Sequence, residues 1–336
     1  MNKTILFRVD WNSKIGLGHL YRILAICEMI ESIYHFKIIT SYTSNVELIP
    51  FGYLYETIPN NVSINMEPNW FQKKFSSDNH LLIIDGYQFK SEYQKYIYNI
   101  GYKLVYIDDL IEDKMYADLV INHSNSASKN KYQGQNQTKY AIGSRYALLR
   151  ASFLSLAKEK KIEKKIDEVF INFGGSDMYD LSFKYCSALS KINKIKKINL
   201  VLGGAYNQNI NSLNSEKVVT LKKINDKEMI MLFKKCQLAI VPTSTVLYEA
   251  LCSSMYVISG YYARNQYLSY QYLNNKKVIK GIGDLRKYNP NDLFDLINKI
   301  KMNDIAIQNK LKTSIIDGNQ KKRVQDLLKK IIKKII

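Results

Sequence analysis

The chain has 336 residues, 46% of them hydrophobic and 24% charged, and a formal net charge of +19. That length holds two domains with cores of their own, and the apolar-to-charged balance excludes a disordered or fibrous chain. Only seven of the 49 basic residues are arginine and the lysines are scattered, so the charge reads as compositional bias rather than a nucleic-acid face, and it suits a small anionic substrate.

The first element in chain order is Ile5 to Asp10, a short apolar run with the length and composition of a buried strand. Leu20, Ile23, Leu24, Cys27 and Ile30 follow at helical spacing, which predicts a helix from Leu20 to Ile30. Between them lies Ile15-Gly16-Leu17-Gly18-His19-Leu20-Tyr21-Arg22, a glycine loop at a helix N-terminus. Gly16 and Gly18 permit positive φ and close approach of a ligand to the backbone, and the helix end offers unpaired N–H groups. His19 stands there, and an unperturbed imidazole, with a pKa of about 6.5, is the side-chain type that can take a proton near neutral pH. Because Arg22 follows His19, this is neither the dinucleotide fingerprint nor a phosphate loop ending in Lys-Ser or Lys-Thr.

Further strands are expected at Phe36 to Thr40, Leu81 to Ile84, Leu104 to Ile107 and Leu119 to Ile121. The last three end in Asp85-Gly86-Tyr87, Asp108-Asp109 and Asn122-His123. Apolar runs of this kind alternating with helices predict a parallel α/β sheet. Ligands of such sheets lie off the carboxyl ends of the strands, where Asp10, Asp85, Asp108 and Asn122 fall. Ser124 to Thr138 reads as an exposed loop, and the charge run from Lys158 to Lys165 as an interdomain linker.

The pattern then restarts. Val169 to Phe173 reads as a strand before Gly174-Gly175-Ser176-Asp177, and Asn199 to Leu202 as a strand before Gly203-Gly204. Val218 to Leu221, Leu238 to Val241 and Tyr256 to Ser259 read as three more. Pro242-Thr243-Ser244-Thr245 opens a helix whose hydroxyls and N–H groups suit a diphosphate. Glu249, one turn after Thr245, shares its face and could accept both hydroxyls of a ribose. The two halves repeat one doubly wound architecture. At the end, Lys321, Lys322, Arg323, Lys329, Lys330, Lys333 and Lys334 alternate with Val324, Leu327, Leu328, Ile331, Ile332 and Ile335. That is a basic amphipathic helix, expected to pack its apolar stripe on a core, with contact to an anionic membrane as the alternative.

Cys27, Cys186, Cys236 and Cys252 are far apart and sit in apolar contexts, which predicts buried thiols in a reducing, cytoplasmic setting. The four histidines, His19, His35, His80 and His123, have no metal-ligand spacing. Neither a signal-peptide core nor an apolar run of about 18 residues is present, so no membrane-spanning helix is expected.

The ordered series Asp10, Ile15-Gly16-x-Gly18-His19-x-x-Arg22, Ile84-Asp85-x-Tyr87, Ile107-Asp108-Asp109, Tyr146-Ala147-Leu148-Leu149-Arg150, Gly174-Gly175-Ser176-Asp177, Glu249-Ala250-Leu251 and Asn265-Gln266 resembles one family. It is the UDP-2,4-diacetamido-2,4,6-trideoxy-β-L-altropyranose hydrolases of pseudaminic acid biosynthesis, themselves similar to the GT-B glycosyltransferase that makes lipid II. The match covers roughly residues 1–285. It departs from the family in carrying Thr243-Ser244-Thr245 where a glycine is common, and Asp180 near the position of a usual asparagine.

The resemblance implies an α/β, GT-B-like fold of two Rossmann-like domains facing across a cleft, with a C-terminal helix. The expected division is residues 1–157, residues 166–320 and the helix 321–336. The implied reaction is hydrolysis of a UDP-sugar to UDP and free sugar, with no metal and no cofactor. His19 would take a proton from water, with Asp10 as its catalytic companion; either Asp10 or Asp85 would orient the imidazole or the sugar. Gly16, Gly18, Arg22, Asp85 and Asn122 are expected to bind the substrate, with Tyr87, Asn265 and Gln266 on the sugar. Gly174, Gly175, Ser176, Thr243, Ser244, Thr245 and Glu249 are expected around UDP. The partners expected are a UDP-sugar and UDP, without nucleic acid or stable membrane insertion, in a monomer or weak dimer. The alternatives are a GT-B glycosyltransferase using the same donor with an acceptor, and a nucleotide-sugar-binding protein without turnover.

Overall fold

A computed structural model describes residues 3–12, 15–111, 114–204, 206, 215–222 and 224–335. The chain divides into two compact units, residues 1–151 with 319–336, and residues 152–318.

The sheet of the first unit contains β1 (Thr4–Val9), β2 (His35–Ser41), β3 (Tyr55–Ile58), β4 (His80–Asp85), β5 (Lys103–Ile107), β6 (Leu119–Asn122) and β7 (Lys139–Ile142). Its order is β3-β2-β1-β4-β5-β6-β7, with every pairing parallel. Helices α1 (Gly18–Ile30), α2 (Glu67–Lys74) and α3 (Ser91–Asn99) connect the strands. Central strands are buried on both faces, which is why they read as continuous apolar runs. One face packs Leu6, Ile39, Leu82, Ile84, Leu104 and Val120 under Phe71, Phe89 and Ile97. The strand order reverses direction between β1 and β4, and in open α/β sheets the carboxyl ends of the strands at such a switch point are where ligands bind. Val9 and Asp85 are register partners there.

The second unit takes all but the first residue of α4 (Ala151–Lys158), whose Phe153 packs against Phe233 with ring centroids 5.5 Å apart. Its sheet is built from β8 (Glu168–Ile171), β9 (Lys197–Leu202), β10 (Val218–Lys222), β11 (Leu238–Pro242), β12 (Tyr256–Tyr261) and β13 (Lys280–Asp284). The order β10-β9-β8-β11-β12-β13, again all parallel, repeats the same winding, with the switch point between β8 and β11. Around it run α5 (Leu181–Ser190), α6 (Asp226–Lys235), α7 (Thr245–Leu251), α8 (Arg264–Asn275), α9 (Leu293–Lys299) and α10 (Met302–Ile315). Val169, Ile171, Leu200, Ile240 and Ile258 form its core with Tyr185 and Leu189.

The charge run 158–165 is not the boundary, which falls at 151/152. The Lys161 ammonium donates to the carbonyls of Leu156 and Cys252, so part of the run is docked on the second unit. The C-terminal helix α11 (Gln320–Ile332) is not a separate piece; it belongs to the first unit and lies on α1. Val324, Leu328, Ile331 and Ile332 are buried, Gln325 donates to the Met29 carbonyl at 2.6 Å, and Lys329 and Lys330 are exposed. Ile336 lies outside the described residues. The four cysteines are buried free thiols, and among the described residues no helix is long and apolar enough to cross a membrane.

Candidate active site

The residues flanking the first switch point form a charged network. The loop after β1 turns at Gly16, whose φ is +84°, and its N–H donates to the Asn12 carbonyl at 2.8 Å. A side chain there would hold a conformation that L residues avoid. Helix α1 then starts at Gly18 without a side-chain cap. His19 and Arg22, one turn apart on α1, are both buried and both reach the carboxylate ending β4. The imidazole Nδ1 lies 2.6 Å from Asp85 Oδ1, while Arg22 donates from Nε to Oδ2 at 2.8 Å and from Nη2 to Oδ1 at 2.6 Å.

An ionised carboxylate only accepts and a guanidinium only donates. Nδ1 therefore carries its proton towards Asp85, and Nε2 keeps the lone pair that makes His19 a base. We assign this tautomer from the partners. Arg22 Nη2, which carries two hydrogens, donates one to Asp85 Oδ1 and also lies 2.7 Å from Nδ1; the tautomer is assigned on the shorter contact of Nδ1, the one to the carboxylate. Burial pushes the Asp85 carboxyl up; Arg22 first and then His19 outweigh it, and Asp85 is held below the usual carboxylate range. Arg22 is also bound to Asp109 Oδ2 at 3.0 Å. Tyr87 donates to the same oxygen at 3.1 Å and sets its ring edge on the His19 ring, with centroids 4.8 Å apart. Beside this cluster stands His123, whose imidazole is brought down to about 4 by burial and by the Arg22 charge.

Of the two carboxylates expected to orient His19, the one on the imidazole is Asp85. Asp10, expected as the catalytic companion, points elsewhere. It takes Arg8 Nη1 at 2.5 Å, Nη2 at 2.8 Å, the Ser41 N–H at 2.6 Å and Gln88 Nε2 at 3.0 Å. Arg8 in turn binds Glu67 at 2.8 and 2.7 Å. Asp10 thus ties β1 to β2 and to the segment after β4. Arg22, expected among the substrate-binding residues, donates from Nε and Nη2 to Asp85 and from Nη1 to Asp109. Asn122 is fully buried, donating to Asp108 Oδ2 at 3.2 Å and to Tyr132 at 2.8 Å, and accepting from the Ser124 N–H at 2.8 Å. The partners of a charged strand residue cannot be read from spacing. Glu67 and Asp109 were accordingly absent from the expected set, although Asp109 stands within one of its motifs.

The second unit gathers its expected residues at the other switch point. Gly174 turns after β8 with φ +91°, its N–H bound to Asn172 Oδ1 at 2.9 Å. Asp177 accepts the Leu181 and Ser182 N–H groups at 2.9 and 2.7 Å and so caps α5. Gly203, after β9, approaches so closely that a Cβ would lie 2.2 Å from the Gly175 carbonyl oxygen and 2.3 Å from that of Gly174. Ser176 is half-buried in the same loop. Across the switch point, Ser244 is the N-cap of α7, with Thr245 its first residue and Glu249 buried one turn on. The Thr243 hydroxyl is buried, donating to the Gly260 carbonyl at 3.0 Å. On α8, Asn265 is half-buried, and Gln266 is buried with Oε1 accepting the Tyr262 N–H at 3.0 Å. Among the described residues no group of three or more His, Cys, Asp or Glu could hold a metal ion.

Two parallel doubly wound sheets define the class: this is the GT-B fold. Among solved structures, Acinetobacter baumannii MurG superposes with a TM-score of 0.67 at 12% identity over 98% of this chain and 99% of its own. Arabidopsis thaliana UGT89C1 complexed with UDP also gives 0.67, at 10% identity over 98% and 100%. By sequence, the chain is 29% identical over 272 residues to the UDP-2,4-diacetamido-2,4,6-trideoxy-beta-L-altropyranose hydrolase of Campylobacter jejuni, covering 78% of this chain and 93% of that one. An uncharacterized protein of Methanocaldococcus jannaschii is 27% identical over 75% of this chain, and the match spans 54% of that protein's length. The Bacillus subtilis spore coat polysaccharide biosynthesis protein SpsG is 30% identical over 141 residues, 41% of this chain and 42% of its own. No family model matches. The chain is thus similar, over most of its length, to a named member of the family to which the motif series pointed.

Proposed function

We propose that the protein hydrolyses a UDP-linked 2,4-diacetamido-2,4,6-trideoxy sugar in surface-glycan biosynthesis. Water attacks the anomeric carbon, the bond from that carbon to the UDP oxygen breaks, and UDP and the free sugar leave. His19 Nε2 takes the proton of the attacking water, while Asp85 holds the ring's tautomer and balances the positive charge that forms. Gly16 and Gly18 let the backbone approach the sugar, and Tyr87 contributes a contact to it. In the second unit, the Gly174-Gly175-Ser176 and Gly203-Gly204 turns with Ser244 and Thr245 bind the diphosphate through N–H groups and hydroxyls, and Glu249 binds the ribose. Asp10 acts on the site through its hold on β2 and Gln88.

The observation that carries this reading is the 2.6 Å pairing of His19 with Asp85 beside the first glycine loop, in a chain related to a named UDP-sugar hydrolase over 78% of its length. His19→Ala tests it. Turnover should fall about 10²–10⁴-fold, the usual contribution of a general base, with the UDP dissociation constant unchanged by titration calorimetry. Undiminished turnover would remove His19 from the mechanism. Release of UDP only when a sugar acceptor is added would assign the site to glycosyl transfer instead.

A further inference from the structure

The buried cluster around His19 contains one acceptor that the described residues do not use. Asp109 is 10% exposed at its side chain, and its Oδ2 is taken by Arg22 and Tyr87. Its Oδ1 is buried and has no hydrogen-bond partner among the described residues. A buried carboxylate oxygen without a donor is costly, and native structures supply one from protein, water or ligand. The nearest cation, Arg22, has its three nitrogens directed to Asp85 and Asp109 already. Glu168 and Gln320 also carry such an atom, but they lie on β8 and α11, outside this cluster. Asp109, in contrast, shares Tyr87 and Arg22 with the imidazole.

We infer that Asp109 is a substrate-binding residue whose Oδ1 accepts a hydrogen bond from an N–H or O–H donor on the glycosyl group, and that it selects sugars carrying that donor. This rests on the UDP-sugar reading above. A carboxylate cannot donate, so a sugar with a methyl ether or N-methyl amide at that position leaves the oxygen unmet, and discrimination follows from the unpaired group.

The test compares wild type with Asp109→Asn on pairs of UDP-sugars differing only in whether one amide N–H or one hydroxyl is methylated. Wild type should prefer the unmethylated member of one pair by about 10–100-fold in kcat/KM, and which pair responds tells amide from hydroxyl. In the variant that preference should shrink to within a few-fold while the inhibition constant of UDP stays the same. A merely structural role would lower activity on both members alike. An undiminished preference in the variant overturns the inference, as does indifference of wild type to every methylation, which would leave water as the partner of Oδ1. The wild-type arm needs no variant, so a poorly folding Asp109→Asn does not block the test. Should wild type hydrolyse no UDP-sugar, the proposed function falls by itself. Saturation-transfer NMR with the free methylated and unmethylated sugars, on wild type and on Asp109→Asn, then reads the contact: a wild-type preference that the variant loses sustains the inference, and no preference, or one the variant keeps, overturns it.

Discussion

At the scale of the residue, the site is a question of which nitrogen of His19 carries the proton. Asp85 answers it by accepting from Nδ1. Asp85→Asn places an amide there, and an amide that also donates towards Nδ1 turns the ring to the tautomer with Nε2 protonated. Turnover should drop about 10³–10⁴-fold, as for a miscast imidazole in a hydrolytic triad, while UDP binding is retained; steady-state kinetics on the purified variant would check it. His123 provides a second residue-level prediction. Its folded-state value of about 4 lies below the usual 6.5 for histidine, with burial the main cause and Arg22 the next. The folded state therefore binds fewer protons than the unfolded chain between those values, and this contribution to stability rises with pH through the window and is lost as pH falls through it. The span is worth up to about 3 kcal/mol at 1.36 kcal/mol per pH unit. His123→Asn should flatten the slope of urea-unfolding stability against pH between about 4 and 6.5, leaving the contributions of the other histidines in place.

At the scale of the element, the two glycine turns of the second unit are held together by backbone contact. With Gly203 so close to the Gly174 and Gly175 carbonyls, Gly203→Ala must push the β8 and β9 loops apart. Overpacking of this kind costs about 1–3 kcal/mol, and a lowered melting temperature with at least tenfold weaker UDP binding is the expected result, read by calorimetry on the variant. The same scale shows what could be read beforehand. Central strands such as β1, β4, β8 and β11 are buried on both faces, so their apolar runs were legible. β3, β7 and β13 were not, for all three are sheet edges: Tyr55-Glu56-Thr57-Ile58 is mostly half-buried or exposed, and Lys280-Gly281-Ile282-Gly283-Asp284 has two glycines and no continuous apolar run. Helix α11 was legible as amphipathic, but its packing against α1 depends on a chain reversal that no local pattern encodes.

At the scale of the whole molecule, the doubly wound order of each unit explains why residues distant in sequence converge. His19 follows β1 and Asp85 ends β4, sixty-six positions apart, yet β1 and β4 are neighbours because the winding reverses there. Strand-end chemistry could thus be located from sequence, whereas the assignment of partners could not. Asp10, Asp85 and Asn122 look alike as polar residues closing apolar runs, and only the fold separates the carboxylate on the imidazole from the one on Arg8 and the amide on Asp108. The glycine loops after β1 and β8 were likewise legible as turns at the strand ends, while the internal use of the Thr243 hydroxyl depends on β12 lying beside β11.

The most direct measurement is the fate of water oxygen. The protein is incubated with a UDP-2,4-diacetamido-2,4,6-trideoxy sugar in ¹⁸O-labelled water without any acceptor, and the products are weighed by mass spectrometry at early times. Attack at the anomeric carbon predicts UDP release with the label on C1 of the free sugar and none in UDP, together with loss of the reaction in His19→Ala. Label in the phosphate, or no UDP released until an acceptor is supplied, would contradict it.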